Sequence, residues 1–531
     1  MEILLLLLVL VLLVILTAFA NLARDTISCY LLTPMRIKRV MSRQGVSGPP
    51  PRFLVGNILE VASLVTRSTS RDMPSIDHDI VARLLPHYVL WSKIYGKMFI
   101  YWNGSEPRLC LTDTDMTKEL LGKYSMVSGK SWFQQQGSKN FVGKGVLMAN
   151  GQDWYHQRHI VAPTFLGDKL KSYTGYILES TEKMLQSLES AVESGKSEVE
   201  IGEYMTALTS DIITQTTFGS GCENGKKIFR LLTRLQRLTA RSTRHLWFPG
   251  SRFFPSKYNR ETKSLKKEVE RLLTEIIQSR KDCVEIGRSS SWGNDLLGTL
   301  LNEMDNRASV TKPTPSSPDR FNLDLQLIMD ECKTIVFTGH ESTALLLTWT
   351  AMLLAAYPSW QDKIREEVKV VCNGGPPSIE HLPKLALLSM VINESLRLYP
   401  PVAILPRSAF EDIRLGDLDI PKGLALWIPV LAIHHSEQLW GKDANMFNPE
   451  RFASRTYAPG RFIPFALGPR NCVGQSFAIT EAKMILSMLI SRFSFTISEN
   501  YRHAPVTVLT IRPKHGVQIH LTPLKPKIPS P

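Results

Sequence analysis

The sequence has no pair of cysteines at C-x-x-C spacing, and its seven cysteines are an odd number scattered from Cys29 to Cys472. We therefore expect neither a disulfide framework nor a zinc site of paired thiolates. The chain also lacks tandem repeats, which argues against solenoids and propellers. It has no helix-turn-helix, zinc-finger or RNA-binding signature, so nucleic acid is not an expected partner. Reduced thiols in a cytosol-facing body fit these absences best.

The motifs of several common enzyme classes are present only in part. His340-Glu341 begins like the H-E-x-x-H helix of zinc proteases, but the second histidine is missing. Gly129-Lys130-Ser131 ends like a phosphate-binding loop, but Tyr124 occupies the position of its first glycine. No G-x-S-x-G nucleophile elbow occurs.

The composition is that of a folded chain with a basic surface. Hydrophobic residues make up 43% and charged residues 21% of the 531 residues, which is typical of globular proteins. The formal net charge is +14. This balance fits an ordinary basic surface, or a surface that meets anionic lipid or an acidic protein.

The amino-terminal segment is strongly apolar, since every residue from Ile3 to Ala20 except Thr17 is apolar. At about 1.5 Å per residue, this run with its flanks can cross a bilayer core of about 30 Å. A cleaved signal peptide is the alternative, because residues 18–20 resemble a cleavage site, but no cation precedes the run. We predict that residues 1–23 form a retained transmembrane signal anchor.

Cations and prolines follow this apolar run. By the positive-inside rule, the cations keep the bulk of the chain in the cytosol. These cations are Arg24, Arg36, Lys38, Arg39 and Arg43. Successive prolines at 49–51 stiffen the chain into an extended spacer. We expect residues 24–57 to be a basic juxtamembrane segment with a proline-rich hinge, and residues 58–531 to be one body.

Helical periodicity dominates that body. Apolar residues at helix spacing predict helices over residues 176–193, 228–245, 258–279, 323–356, 360–371 and 385–398. Short β-prone runs predict strands over residues 97–102, 108–112, 424–429 and 506–512. The expected fold is mainly α with small β-sheets.

One run near the carboxyl end, F-A-L-G-P-R-N-C-V-G, combines residues with a shared chemical purpose. A cysteinate such as Cys472 pushes electron density into a haem iron, and backbone N–H groups of a tight loop can stabilise it. Gly468 and Gly474 permit such a loop and a close approach to a porphyrin. Arg470 can pair with a haem propionate, and Phe465 can shield the sulfur from water.

A lone cysteine would most often be a buried structural residue. Here the whole run resembles the signature F-x-x-G-x-R-x-C-x-G of the cytochrome P-450 superfamily, at every position. The resemblance implies a haem-thiolate monooxygenase that carries haem b, with Cys472 as the axial ligand of the iron. It also implies the cytochrome P-450 fold, as a single haem domain behind its anchor in the endoplasmic reticulum membrane, with the catalytic domain in the cytosol.

Two further motifs support the resemblance. Glu394 and Arg397 stand one helical turn apart, a spacing that is common in surface ion pairs. They resemble the E-x-x-R helix of the family, and Pro449-Glu450-Arg451-Phe452 resembles its PERF segment. The resemblance implies a buried charge network of Glu394, Arg397 and Arg451, in which the loss of one member leaves an uncompensated charge.

Other residues resemble the propionate contacts of the family. Trp154 and Arg158 form a W-x-x-x-R pair, and Arg407 ends a proline-rich segment that resembles another contact. The alternative for the pair is a helix that is packed by Trp154 and exposes Arg158.

The segment Thr338-Gly339-His340-Glu341-Ser342-Thr343 lies within the predicted helix 323–356. Glycine and small hydroxyl residues weaken a helix, as expected where the helix opens a groove for dioxygen. The segment resembles the [AG]-G-x-[DE]-T-[TS] motif of the family. The resemblance implies that Gly339, Glu341, Ser342 and Thr343 are catalytic, with Glu341 relaying protons and the next hydroxyl positioning them.

The sequence departs from that motif in two positions. Ser342 stands where threonine is usual, and Thr338 stands where alanine or glycine is usual. Serine keeps the hydroxyl but loses the stiffness of a β-branched side chain. We therefore expect activity with leakier coupling.

Residues 337–350, 434–440 and 498–505 resemble the plant cytokinin hydroxylases. This resemblance implies trans-hydroxylation of the isopentenyl side chain of an adenine cytokinin, or of its nucleotide, to a trans-zeatin form. Relatives in the same plant clan act on gibberellins, brassinosteroids and other terpenoids, which stay open as alternatives. By resemblance, the pocket walls are residues 131–146, 231–247, 334–342, 402–405 and 504–508.

A stripe of arginines bears on the substrate. At helical spacing they share one face of the predicted helix 228–245, as a solvated or lipid-facing stripe would. The members are Arg230, Arg234, Arg237, Arg241 and Arg244. The other interpretation is that Arg234, Arg237 or Arg241 recruits the phosphate of a nucleotide substrate.

The chain has no flavin or NADPH motif, so a monooxygenase of this kind needs a separate NADPH-cytochrome P-450 reductase besides O2 and a small-molecule substrate. A basic face could steer an acidic reductase. The rival interpretations are a haem-thiolate isomerase or dehydratase that needs no reductase, and a non-catalytic haem-binding protein. Glu341 and Ser342 argue against both.

Overall fold

The computed structural model of the protein describes residues 2–219, 223–242, 256–287, 291–310, 321–454 and 458–524. Its helices, α1 to α19 in chain order, are Glu2–Ile27, Thr33–Arg43, Ile58–Ser68, Val81–Leu84, Pro86–Tyr95, Thr114–Gly122, Trp132–Ser138, Gly151–Val161, Gly167–Glu193, Ile201–Phe218, Glu223–Ser242, Lys257–Glu285, Leu296–Val310, Leu325–Ala356, Pro358–Val371, Ala386–Leu398, Val430–His434, Glu437–Trp440 and Gln475–Arg492. Its strands, β1 to β12, are Ile100–Asn103, Glu106–Cys110, Ser128–Gly129, Glu198–Glu200, Leu405–Ala409, Ile413–Leu415, Leu418–Ile420, Ala425–Ile428, Phe493–Ile497, Pro505–Val508, Thr510–Pro513 and Gln518–Pro523.

The strands form small sheets at the edges of a helical body. The largest sheet has the order β1-β2-β8-β5-β3, and a three-stranded sheet has the order β4-β12-β9. The pairs β6-β7 and β10-β11 are separate antiparallel hairpins. The expected mainly helical fold with small sheets is therefore confirmed.

Helix α14 runs through the centre of this body. Asp324 caps its first turn by accepting a hydrogen bond from the backbone N–H of Leu327 at 2.7 Å, as helix N-caps do. Most of its residues are buried, and it packs against α10, α16 and α19. Its buried residues include charged ones, such as Asp330, Glu331 and Lys333. Residues 338–343 lie within the body, with His340 and Thr343 buried and the other four half-buried.

Helix α10 was not expected, because its sequence is rich in threonine, which has a low helix propensity. Two of its threonine hydroxyls bond back into the helix instead of competing with it. Thr209 and Thr216 donate to the carbonyls of Met205 and Ile212, each at 2.9 Å. Packing against α14 stabilises α10 where its intrinsic propensity does not.

The expected single strand over residues 506–512 is a tight hairpin, β10-β11. The strands pair antiparallel with Val508 opposite Thr510, so Leu509 alone makes the turn. Leu509 has a φ of 65°, a left-handed conformation that few non-glycine residues adopt. No glycine, asparagine or proline marks this turn, and the sequence pattern therefore missed it.

The amino-terminal region begins with α1 and α2. No helix within the described residues combines the length and apolar character needed to cross a bilayer. Helix α2 packs on the body, because Ile37 and Met41 are fully buried beside strands of the largest sheet. Arg36 donates to the carbonyl of Lys422 at 2.7 Å.

The proline-rich segment also lies against the body. The backbone N–H of Ile100 donates to Ser47 at 3.0 Å, and a Cβ on Gly48 would meet the carbonyl oxygen of Ile100 at 1.8 Å. The chain at Ser47 and Gly48 therefore lies against strand β1, and the division into residues 1–23, 24–57 and 58–531 stays a prediction.

Candidate active site

The predicted ligand loop lies just before α19. The backbone N–H of Cys472 donates to the carbonyl of Phe465 at 2.9 Å, and that of Asn471 donates to Gly468 at 3.1 Å. Gly468 has a φ of 70°, and a Cβ there would meet the carbonyl oxygen of Leu121 at 2.2 Å. Glycine is therefore required at position 468 by the fold itself.

Gly474 differs from Gly468. Its φ is −95°, which any residue can adopt, and a Cβ there would meet no protein atom within 4 Å. No contact within the described residues explains the glycine, whereas close approach of a flat group from outside the chain does.

Opposing effects act on the pKa of the Cys472 thiol. The side chain is exposed to solvent, but the surrounding protein still desolvates the sulfur, and this desolvation raises the pKa of the thiol. A backbone hydrogen bond from Gly474 and the charge of Arg158 lower the pKa. A bound cation such as iron would favour the thiolate form of this sulfur.

Arg158 clamps the ligand loop to α8. Its Nη1 and Nη2 donate to the carbonyl and the side-chain Oδ1 of Asn471, each at 2.6 Å. Its guanidinium lies 6.0 Å from the ring of Trp154, one turn earlier on the same helix. The structure thus brings Arg158 to the residue next to Cys472, with Trp154 close to Arg158.

Arg470 also lies near Trp154, with its guanidinium 4.6 Å from the ring. Nη2 donates to the carbonyl of Ala149 at 2.5 Å and Nη1 to that of Ser128 at 3.3 Å. Burial and then the charges of Arg407 and Arg158 lower the pKa of Arg470 to about 9. Arg470 therefore lies near two other guanidinium groups, those of Arg407 and Arg158.

Lys130 is a further cation in this group, although its sequence context resembled only a false phosphate loop. Burial, followed by the charges of Arg407 and Arg470, lowers the pKa of Lys130 to about 7. Asn150 holds its backbone in place, since Oδ1 accepts from the Lys130 N–H at 2.8 Å and Nδ2 donates to its carbonyl at 2.9 Å. Burial also lowers the pKa of Arg407 to about 10.

The four cations Lys130, Arg158, Arg407 and Arg470 have no carboxylate partner among the residues that the structure describes. Converging cations without an anion are costly, so their arrangement fits a ligand that carries carboxylates. Haem carries two propionates beside a metal that binds thiolate. The donor set of this site therefore fits haem.

The predicted charge network is present as a buried cluster. Glu394 bonds to Arg397 at 2.7 and 2.8 Å and accepts from Nε of Arg451 at 3.2 Å. Arg451 also donates to the carboxylate of Asp443 at 2.6 Å. Asp443 was not expected, and it neutralises the second arginine.

On α14, the structure gives Gly339 a packing role. A Cβ there would meet Cδ1 of Ile213 on α10 at 2.6 Å, so glycine allows the two helices to approach. Helix α14 continues through this position from Leu325 to Ala356. The hydroxyl of Ser342 donates to the carbonyl of Thr338 at 2.8 Å, while Thr343 is buried.

Glu341 faces the hairpin β10-β11. Its Oε1 accepts a hydrogen bond from Oγ1 of Thr510 at 2.6 Å and another from Nη2 of Arg512. Its Oε2 lies 3.8 Å from Nε2 of His340, and burial lowers the pKa of that imidazole, which favours its neutral form. Thr510 and Arg512 were not expected, because residues far apart in the chain give no local signal.

The structure does not bring Arg234 and Arg237 to this site. Both are exposed on α11, on the face opposite the buried Leu232. Arg234 pairs with Glu261 on α12 at 2.6 Å. The side chain of Arg241 and all of Arg244 lie outside the described residues. For Arg234 and Arg237 these contacts favour the solvated stripe, and phosphate binding stays an untested hypothesis.

Comparison with known proteins agrees with this geometry. Residues 78–519 match the family model described as Cytochrome P450. Two proteins of Arabidopsis thaliana, both named Cytokinin hydroxylase, are 63% and 62% identical to this chain over 513 residues. Each alignment covers 96% of this chain, and they cover 98% and 97% of the two relatives. The chain therefore belongs to the cytochrome P-450 family, and it is a haem-thiolate monooxygenase that receives NADPH-derived electrons through a reductase.

Proposed function

We propose that this monooxygenase is a cytokinin hydroxylase, which trans-hydroxylates the isopentenyl side chain of adenine cytokinins or their nucleotides. The observation that carries the proposal is the identity of 63% and 62%, over nearly the whole chain, to two proteins named Cytokinin hydroxylase. The resemblance of residues 337–350, 434–440 and 498–505 supports it. The products would be trans-zeatin forms.

Cys472 is the proposed axial ligand of the iron. When bound, haem supplies the activation of O2 with electrons from the reductase, which no side chain can provide. The chain contributes the sulfur, a loop held by the Phe465 carbonyl, and the clamp from Arg158 to Asn471. Phe465 is half-buried beside this loop, where it can limit the access of water to the sulfur.

The haem propionates are assigned to the four converging cations and Trp154. Lys130, Arg158, Arg407 and Arg470 lack carboxylate partners within the described part of the chain, so two propionates would neutralise part of their positive charge. Asn150 and the carbonyls of Ser128 and Ala149 fix the positions of Lys130 and Arg470.

Glu341, Ser342 and Thr343 are the proposed catalytic residues on α14, with Gly339 beside them. Glu341 would take up protons from solvent, and the Ser342 hydroxyl would pass them on to the reacting oxygen. In the structure that hydroxyl donates to Thr338, and it must turn to serve another acceptor. A Ser342→Thr variant should release less peroxide per NADPH, and unchanged release would contradict the coupling role.

The membrane anchor over residues 1–23 is part of the proposal. Its support is the apolar run from Ile3 to Ala20 and the exposure of large apolar side chains along α1, such as Leu6 and Phe19. We place the protein in the endoplasmic reticulum membrane with residues 58–531 in the cytosol. NADPH-cytochrome P-450 reductase is the proposed electron donor.

The function is tested by expressing the full chain with NADPH-cytochrome P-450 reductase in microsomes. Candidate substrates are isopentenyladenine, its nucleotide, a gibberellin and a brassinosteroid. We expect substrate-induced spin shifts and hydroxylated products with the adenine compounds only. The reduced protein with carbon monoxide should show the far red-shifted Soret band of thiolate ligation, and Cys472→Ser should abolish it.

Two outcomes would contradict the proposal in different ways. Turnover of a gibberellin or brassinosteroid, with none of the adenine compounds, would reassign the substrate and leave the monooxygenase intact. Absence of the red-shifted band in the wild-type protein would remove the assignment of Cys472.

A further inference from the structure

The hairpin β10-β11 presents two side chains to the proposed proton relay. Thr510 and Arg512 are two residues apart on β11, so they project from the same face of the strand. Both donate to the same carboxylate oxygen of Glu341, the threonine hydroxyl at 2.6 Å. The Glu341 side chain is only 10% exposed, whereas that of Arg512 is 31% exposed and reaches toward solvent.

Strand β11 is held in place by Ile511, the residue between Thr510 and Arg512. Ile511 is fully buried on the opposite face. Its carbonyl accepts from Nε1 of Trp349 on α14 at 3.1 Å, and its N–H donates to the carbonyl of Pro401 at 3.0 Å. The main chain at Ile511 therefore cannot shift without breaking contacts to α14, and Arg512 is delivered to Glu341 by a rigid support.

Few other charged groups compete for this carboxylate. Among the described residues, His340 is the other titratable group in contact, at 3.8 Å from Oε2, and its lowered pKa favours the neutral ring. Arg512 has no other carboxylate within ion-pair distance in the described part of the chain, and its Nε is buried without a partner there. Each member of the pair is therefore the other's main charged partner.

We propose that Arg512, assisted by Thr510, is a positioning residue that holds the Glu341 carboxylate in place for proton delivery. The inference rests on the proposed role of Glu341 as the proton relay. For each proton delivered, Glu341 would pass one proton toward Ser342 and regain one from water, and a turnover consumes two such protons with the two electrons from the reductase. The guanidinium of Arg512 stays protonated throughout and only orients the carboxylate. The hairpin, whose strand β10 belongs to the pocket wall implied by the family resemblance, is thereby tied to the proposed proton relay.

The test compares Arg512→Gln, Arg512→Lys, Thr510→Val, Glu341→Gln and the double variant Glu341→Gln/Arg512→Gln in microsomes with reductase and isopentenyladenine. Arg502→Gln is the matched control, since Arg502 is an exposed arginine of the same region that pairs with Asp72 and not with Glu341. The measurements are product formed per NADPH, peroxide released, the solvent deuterium isotope effect, the substrate-induced spin shift and the carbon monoxide band.

We expect Arg512→Gln to lower product per NADPH roughly tenfold, less than the hundredfold or more that the loss of a general acid can cause. Peroxide release and the isotope effect should rise, while the spin shift and the carbon monoxide band stay unchanged. Arg512→Lys should retain part of the coupling, Arg502→Gln should match the wild type, and the double variant should be no worse than Glu341→Gln alone.

Normal coupling in Arg512→Gln, or a loss that adds fully to that of Glu341→Gln, would overturn the inference. If Arg512→Gln fails to bind haem, the Thr510→Val variant provides the test instead. Normal coupling in Thr510→Val would also overturn the inference. The outcomes for Glu341→Gln and Arg512→Gln distinguish this inference from the proposed relay. Coupling lost in Glu341→Gln but kept in Arg512→Gln defeats only this inference, whereas unchanged coupling in Glu341→Gln defeats the proposed relay itself.

Discussion

The guanidinium of Arg397 donates to both carboxylate oxygens of Glu394, from Nε at 2.7 Å and from Nη2 at 2.8 Å, and both side chains are fully buried. The remaining donor Nη1 bonds to the carbonyls of His434 and Ala444 at 2.8 and 2.6 Å. One ion pair therefore joins α16 to two later segments of the chain.

Glu394→Gln should destabilise the protein strongly. Removing the charge leaves Arg397 buried without its anion, which costs about 3–5 kcal/mol. We expect reduced haem content and a lower urea midpoint. The matched control is Glu366→Gln, an exposed carboxylate that pairs with Lys369 three residues later at 3.3 Å. That change should cost less than about 1 kcal/mol. Equal stability of the two variants would contradict the structural role of the buried network.

Lys130→Gln should accelerate the loss of haem. A charge-assisted hydrogen bond to a propionate is worth about 1.5–3 kcal/mol, so we expect haem transfer to apomyoglobin to be roughly tenfold faster or more. The control is Lys123→Gln, because Lys123 is exposed and pairs with Glu119 at 3.2 Å. Equal rates in the two variants would show that Lys130 does not hold a propionate.

Glu331→Gln should make stability less dependent on pH. Burial raises the pKa of Glu331 from 4.5 to about 8, and both carboxylate oxygens accept from the N–H of Val146, at 3.1 and 3.0 Å. Between these pH values the folded protein binds more protons than the unfolded chain, so the wild type loses stability as pH rises from about 4.5 to about 8.

Glutamine keeps the acceptor for Val146 and does not titrate. We expect the variant to gain on the order of 1–3 kcal/mol relative to the wild type at pH 8, and little at pH 5. Urea unfolding of both proteins across this range measures the difference. A gain that does not change with pH would contradict titration of Glu331.

Arg234→Ala and Arg237→Ala should not discriminate between a nucleotide and its free base. Both side chains are exposed on the outer face of α11, and Arg234 pairs with Glu261. We expect the ratio of kcat/KM for isopentenyladenine nucleotide over isopentenyladenine to stay within about twofold of the wild type, since exposed ion pairs contribute little. A selective loss with the nucleotide would support the phosphate-binding hypothesis.

Local motifs carried most of what the sequence could predict. The cysteine run, the pair Glu394 and Arg397, and the pair Trp154 and Arg158 each place their chemistry within a few residues, so spacing alone is informative. The long central helix was likewise evident from its periodicity, and the helical fold with small sheets followed from such elements.

The remaining residues of the site depend on contacts across the chain. Arg512 lies far from Glu341 in sequence, and the turn at Leu509 that brings it there has no turn-forming residue. Lys130 was set aside with a false phosphate loop, because only the folded chain places it beside Arg407 and Arg470. Asp443 pairs with Arg451, which is eight residues later in the chain, and this spacing is not one that predicts a contact within a helix or a strand.

The contact between Gly468 and Leu121 has a consequence for how this protein can vary. A Cβ at position 468 would lie 2.2 Å from the Leu121 carbonyl oxygen, so at this position the sulfur-bearing loop meets the main chain of α6 and not a side chain. Substitutions along the outer surface of α6 can therefore accumulate without displacing the sulfur, whereas even one added methyl group at Gly468 would force the two backbones apart.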